Sequence, residues 1–271
     1  MKNIAILIVS YNPSLTNLKK ILNEFNNNIY ISDNGSENYS EIKTLVSNFP
    51  NSILINNKEN LGIATAQNKA IHEVIKNKQI EFVLFLDQDS FITRKTVMSL
   101  EQDYLINNGE MGILTAIPYS LKSNIRSIKN ANETLSSGML VSVKSLKLLG
   151  GMREELFIDM VDYELCWRFK KYGLKVAQDY NCRFVHQIGN NKKVFGKIII
   201  SPIRLYYVYR NTIYLMKKNY TLNKKQNINL LYRLFKQFIF NTLFCDNKIY
   251  RLKNMYLGLY DGIKGKMGKF K

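Results

Sequence analysis

Asp87 and Asp89 stand one residue apart in "LFLDQDS", directly after an apolar run. Carboxylates that close repel each other, and ionising both is costly unless a cation lies between them. At i and i+2 on a loop, two side chains can turn oxygens toward one hard divalent ion. Mg²⁺ and Mn²⁺ favour such ligands and commonly hold substrate phosphates as well. The bland reading is a turn in which Asp87 caps and Asp89 is solvated. The position after a buried strand favours the ion.

A second acidic group, Asp159, Asp162 and Glu164, opens the segment "IDMVDYELCWRFKKYG". A carboxylate at a helix start is favoured by the macrodipole, so Asp162 reads either as an N-cap or as a general base kept ionised there. His186 follows the apolar run in "FVHQIG" and offers an imidazole to a metal–diphosphate centre. His72 falls inside a helical pattern and reads as structural. The polar loops "SDNGS" and "ENLGIATAQNKA" open onto helices. Asp33 could accept hydrogen bonds from a base or ribose, and the glycines let backbone approach a ligand; an Asx or glycine turn is the bland reading of each.

Alternating elements must position these residues. "IAILIVSYN", "IYISDNGS", "SILINN" and "EFVLFLDQD" read as strands, separated by helical patterns such as "GIATAQNKAIHEVIKN". That order predicts βαβ units on a mostly parallel sheet, an α/β fold, with ligands beyond the carboxyl ends of the strands. Ser10, Asp33, Asn56 and Asp87 all fall at such ends. "MGILTAI" and "SGMLVSV" read as further strands, "LCWRFKKYG" as a helix stopped at Gly173, and "CRFVHQIG" as a last short strand.

The chain has 271 residues, 46% of them hydrophobic, enough for one large domain with an appendage. No secretory leader is expected, and the three cysteines Cys166, Cys182 and Cys245 suggest a reducing compartment. The net charge of +18 is uneven: residues 191–271 carry +16 and residues 1–190 only +2. The expected organisation is therefore residues 1–200 as the catalytic domain and 201–271 as a basic, aromatic-rich helical region. In the latter, Leu230, Leu231, Leu234, Phe235, Phe238 and Phe244 are expected on one apolar helix face, with Arg233 and Lys236 at its margin. Such a helix suits an anionic membrane surface; packing on the catalytic domain, or a homodimer through this region, is the alternative. Nucleic acid fits less well, because apolar residues dominate the face.

The motifs "ILIVSYN", "ISDNGS", "ENLGIATAQNKAI", "LFLDQDS", "LFIDMVDYELCWRFKKYG", "HQIG" and "RLYYVYRNTIYL" resemble, in order and spacing, those of family 2 glycosyltransferases with the GT-A fold, most closely the bacterial rhamnosyltransferase branch. The resemblance spans about residues 3–215. It implies a nucleotide-diphosphate sugar donor held by Ser10, Tyr11, Asn12, Asp33, Asn60, Gly62, Asn68, Asp87 and Gln88. It also implies Mg²⁺ or Mn²⁺ on Asp89 and Asp87, with His186 nearby. Asp162 is the implied base, Glu164 its neighbour, and Trp167, Arg168, Tyr207, Arg210 and Asn211 the acceptor or diphosphate side. Where many relatives carry Glu-Asp, this chain has Val161 and Asp162, with Asp159 three residues earlier, so Asp159 is the rival base.

The implied reaction is an inverting transfer of L-rhamnose from dTDP-rhamnose to a hydroxyl of a lipid-linked glycan, at the cytoplasmic face of the membrane. A UDP-hexose or UDP-galactofuranose donor would use the same chemistry. A phosphatase with Asp87 as nucleophile is the reading from another class, but Ser90 and Phe91 depart from its pattern and Asp87 lies far from the N-terminus.

Overall fold

The computed structural model describes residues 3–25, 28–107, 109–186 and 193–270. Its first part alternates as the sequence pattern requires: β1 (Ile4–Ser10), α1 (Leu15–Glu24), β2 (Ile29–Asp33), α2 (Tyr39–Ser47), β3 (Ser52–Asn56), α3 (Ile63–Lys76) and β4 (Phe82–Asp87). The four strands lie in the order β3-β2-β1-β4, all parallel. Their registers pair Ser10 with Asp33, Asp33 with Asn56 and Val9 with Asp87, so the polar strand ends form one row.

β5 (Ser90–Phe91), α4 (Arg94–Ile106), β6 (Met111–Pro118), β7 (Ile128–Asn130), β8 (Met139–Ser142), α5 (Val143–Leu149), a 3₁₀ turn (Glu154–Leu156), α6 (Val161–Lys171) and β9 (Lys175–His186) follow. β8 runs antiparallel between β4 and β6, and β9 pairs parallel with β6. β9 is longer than expected from "CRFV". It starts at Lys175 because it pairs with β6 on one side and β7 on the other. Gln187–Gly189 of the expected strand lie outside the described residues.

The central strands are buried on both faces, as continuous apolar runs in parallel sheets should be. Ala5, Leu7, Val83 and Phe85 point to the face covered by Ala64, Ala70 and Val74 of α3 and Trp167 and Phe169 of α6. Ile4, Ile6, Ile8 and Leu84 point the other way, to Leu18, Ile21 and Leu22 of α1 and Ile42 of α2.

Three helices close the chain: α7 (Pro202–Lys217), α8 (Lys224–Phe244) and α9 (Lys248–Lys264). Leu215 and Leu230 join the core that contains Trp167, so this region packs directly on the sheet layer. α9 approaches α7 closely because Gly258 and Gly262 face it: a Cβ at either would lie 2.4 Å from the Tyr206 carbonyl or 2.6 Å from that of Arg210. Among the described residues no helix is long and apolar enough to cross a membrane.

Candidate active site

The carboxyl ends of β1, β2 and β4 open into a crevice of about 850 Å³. Residues of the 157–163 loop, the first turn of α6, α7 and α8 complete its lining. Asp87, Gln88, Asp89, Asp159 and Asp162 all line it. The ligand atoms of Asp87, Asp89 and His186 all lie within 4.8 Å of one another. His186 Nδ1 is 2.7 Å from Ser90 Oγ and 3.5 Å from Asp89 Oδ1. Two carboxylates and an imidazole at that separation suit a divalent cation that takes oxygen and nitrogen ligands. Burial, and then the charge of Asp89, pushes the Asp87 carboxyl up to about 6. A cation there would relieve both causes.

Asp162 does not cap α6. Met160 holds that place in a left-handed conformation, and Asp162 lies in the first turn. Its carboxylate accepts from the backbone N–H of Tyr163 (3.0 Å) and of Ser136 (3.3 Å). The helix terminus favours the ionised form, and the surroundings of the carboxyl act against it. Burial outweighs those hydrogen bonds, Asp159 adds a like charge, and the carboxyl is pushed up to about 7. A base of that strength is matched to proton transfer near neutral pH. Asp159 faces the same crevice but is held by the Arg204 guanidinium, whose Nε donates to Oδ2 at 3.2 Å and whose Nη2 donates to Oδ1.

The crevice thus joins a carboxylate pair at the ends of the sheet strands, an imidazole beside it and the further carboxyls of Asp159 and Asp162. Residues 5–143 match the model of "Glycosyl transferase family 2". The chain belongs to glycosyltransferase family 2. It is 32% identical to the dTDP-rhamnosyl transferase RfbF of Shigella flexneri over 292 aligned residues, covering 98% of this chain and 97% of that protein. The S. aureus TarS fragment 1–349 in complex with UDP-GlcNAc superposes with a TM-score of 0.58 at 18% identity, over 97% of this chain and 81% of the other. The mannosyltransferase PcManGT from Pyrobaculum calidifontis, in complex with GDP-Man and Mn²⁺, gives 0.61 at 11% identity, over 97% and 75%. At those identities the likeness is one of fold.

Within this glycosyltransferase, the structure separates the candidate residues. Tyr11, Asn60 and Gly62 line the crevice with Asp87, Gln88 and Asp89. The Tyr11 N–H donates to Gln88 Oε1 at 2.8 Å, and Gln88 returns a bond to the Tyr11 carbonyl. Asp33, implied to contact the nucleotide, is fully buried, its oxygens accepting from the Ser10 and Ser36 hydroxyls and the Ser36 N–H. Ser10 is spent in the same contact. Asn12 accepts from the Glu37 N–H at 2.8 Å, and Asn68 ties α3 to Met152 and Glu154; neither lines the crevice.

On α6 and α7 the implied site residues lie deeper. Glu164 is buried between the guanidiniums of Arg153 (2.6 Å) and Arg168 (2.8 Å), away from the crevice. Trp167 is fully buried in the core, and Arg168 binds the carbonyls of Leu149 and Gly151. One helical turn carries these residues from the crevice mouth to the interior. Arg210 and Asn211 are also fully buried and grip the backbone of the 155–159 loop. Tyr207 stacks on Phe157 with ring centres 5.2 Å apart.

Sequence reasoning missed Arg204, Asn34, Gln67, Ser136, Tyr163, Arg233 and Gln237, which line the crevice. Arg204 carried one signal: it stands in the first turn after Pro202, where the resemblance reached "RLYYVYRN". Its charge was absorbed into the count of a basic tail. Arg233, expected at a membrane margin, is exposed, lines the crevice and pairs with Glu133.

Proposed function

We propose that this glycosyltransferase moves L-rhamnose from dTDP-rhamnose onto a hydroxyl of a lipid-linked glycan, with inversion at the anomeric carbon. The observation that carries the chemistry is that Asp162 lines the same crevice as Asp87 and Asp89, which have His186 beside them. The near full-length likeness to a protein named as a dTDP-rhamnosyl transferase supports the donor.

Gln88, Tyr11, Asn34 and Asn60 form the nucleoside end, where the exposed Tyr11 ring offers a surface for base stacking. Asp162 takes the proton of the acceptor hydroxyl as its oxygen attacks C1. The C1–O bond to the diphosphate breaks and its electron pair leaves with the phosphate oxygen. A single displacement leaves the new bond on the opposite face. Mg²⁺ or Mn²⁺ held by Asp87, Asp89 and His186 would supply charge neutralisation for the departing diphosphate. The chain's own residues orient donor and acceptor and hold the proton.

The outer face of α8 supports a membrane setting. Leu231, Tyr232, Phe235 and Phe238 are exposed, with Lys224, Lys225 and Lys236 also at the surface. The expected single face is corrected: Leu230 and Leu234 turn inward to the crevice wall and only the others point out. Each Lys or Arg near an anionic leaflet contributes about 1 kcal/mol, so an exposed aromatic face fringed by lysines suits reversible binding.

The test is a panel of nucleotide sugars with Mn²⁺, scored by donor hydrolysis and by NMR of the transferred sugar. dTDP-rhamnose should be preferred, and preference for a UDP-hexose would refute the donor. Flotation with anionic vesicles should fall when Leu231, Phe235 and Phe238 are changed to Ser. A stable dimer that those changes disrupt, with no vesicle binding, would make the face a subunit contact.

A further inference from the structure

Arg204 faces three carboxylates of the crevice: it bonds Asp159 directly, and it interacts electrostatically with Asp162 and Asp87. The charge balance there is unfavourable for an anionic donor. Asp87, Asp89, Asp159 and Asp162 crowd a space that has to receive a diphosphate, and the only other arginine lining the crevice among the described residues, Arg233, pairs with Glu133.

The geometry of the guanidinium is informative. Nε and Nη2, one edge of the fork, are engaged by the two oxygens of Asp159. Five N–H groups lie in that fork, and a carboxylate on one edge fixes its plane while the Nη1 N–H groups remain. Among the described residues no side chain or carbonyl hydrogen-bonds Arg204 Nη1, and about half of the side chain, which lines the crevice, is exposed. Pro202 at the start of α7 and the buried Arg210 and Asn211 two turns on anchor the helix that presents it.

We propose that Arg204 binds the diphosphate of the donor and stabilises it as it leaves, and that Asp159 is the positioning residue that holds the guanidinium for this task. This rests on the glycosyltransfer reading above. As the C1–O bond breaks, negative charge grows on the terminal phosphate oxygen, and N–H donors already aimed into the crevice gain strength at that moment. Planar guanidinium suits phosphate oxygens better than an ammonium does. The proposal also removes Asp159 as a candidate base, since a carboxylate clamped by Arg204 is poorly placed to take a proton.

The experiment compares dTDP with dTMP by calorimetry in saturating Mn²⁺, for wild type, Arg204→Ala, Arg204→Lys and Asp159→Asn. Arg204→Ala should weaken dTDP about tenfold or more and dTMP by less than about threefold, because the lost contact is with the terminal phosphate. Its kcat should fall by about 10²-fold, and added guanidinium ion should restore part of it. Arg204→Lys should fall between the two, and Asp159→Asn should show a smaller loss of the same dTDP preference. Equal weakening of dTDP and dTMP, or no weakening with lost turnover, would make Arg204 only a strut for the loop and overturn the proposal. Wild type that ignores dTDP but binds UDP would instead sink the donor reading, and UDP against UMP then serves the same comparison.

Discussion

Asn211 donates its side-chain amide to the main-chain oxygen of Asp159 at 2.9 Å, and the same nitrogen reaches the carbonyls of Leu156 (3.0 Å) and Ile158 (2.8 Å). One buried amide thus gathers a loop in which Phe157, Asp159 and Met160 all have positive φ. Such conformations are costly for non-glycine residues and persist only where the surroundings impose them. The loop is the one that presents Asp159 and Asp162.

Asn211→Leu should therefore release the loop without touching the crevice itself. Leaving buried carbonyls unpaired costs about 1–3 kcal/mol, which thermal melting should detect. Turnover should drop more than stability, because the loop can relax to ordinary φ values. An active variant with an unchanged melting point would show that the loop holds without this amide.

Gly62 opens α3 at φ +84, and a Cβ there would lie 2.5 Å from the Phe157 ring. Gly62→Ala meets both strain and collision. The expected cost is about 1–3 kcal/mol, with weakened donor binding, since the ring it displaces forms the crevice wall. Phe157→Ala in the same chain should recover part of the donor affinity by making room, a coupling that a double-mutant cycle reads directly.

The parallel half of the sheet was legible because its strands are unbroken apolar runs that end on polar residues. Ser10, Asp33, Asn56 and Asp87 could be placed at one row of strand ends on the same ground, whereas Asp159 and Asp162, at a helix opening, were joined to them only through the family resemblance. Asp33, Glu164, Trp167, Arg168, Arg210 and Asn211 show the limit of that reading. A motif fixes which residues occur together, while burial decides which of them face solvent. α6 and α7 each bury one side within a turn of the crevice, and a polar residue there is satisfied by backbone carbonyls. The Gly258 and Gly262 pair, which brings α9 onto α7, went unread because four-residue glycine spacing in a basic, aromatic stretch has no periodic signal of its own.

Asp89→Ala should lower Mn²⁺ affinity, measured by the loss of the free-ion electron paramagnetic resonance signal on titration. Turnover of wild type should stop in excess chelator and return with Mn²⁺. The melting curve of the variant should stay close to wild type, since Asp89 lies on a partly exposed turn. Tight Mn²⁺ binding by Asp89→Ala would remove this residue from the ligand set.

The Asp162 carboxyl is raised from 3.8 to about 7, by burial first and by Asp159 as a further cause. A base works only when deprotonated. Below pH 7 kcat should fall about tenfold per pH unit, and above it should level off. The stability effect has the opposite sense. The folded chain binds this proton more tightly than the unfolded chain, so between about pH 4 and 7 the native state carries the extra proton and stability falls as pH rises. The contribution is present below the unfolded value and is lost above the folded one. Asp162→Asn keeps the shape and removes the titration. Its turnover should fall about 10²–10⁴-fold, and its residual rate should lose the rise through pH 7. At about pH 8 it should melt above wild type by a few degrees, while at about pH 4 the two should coincide. A variant that retains most of its turnover, or a wild-type profile flat between pH 5 and 8, would take the base role away from Asp162.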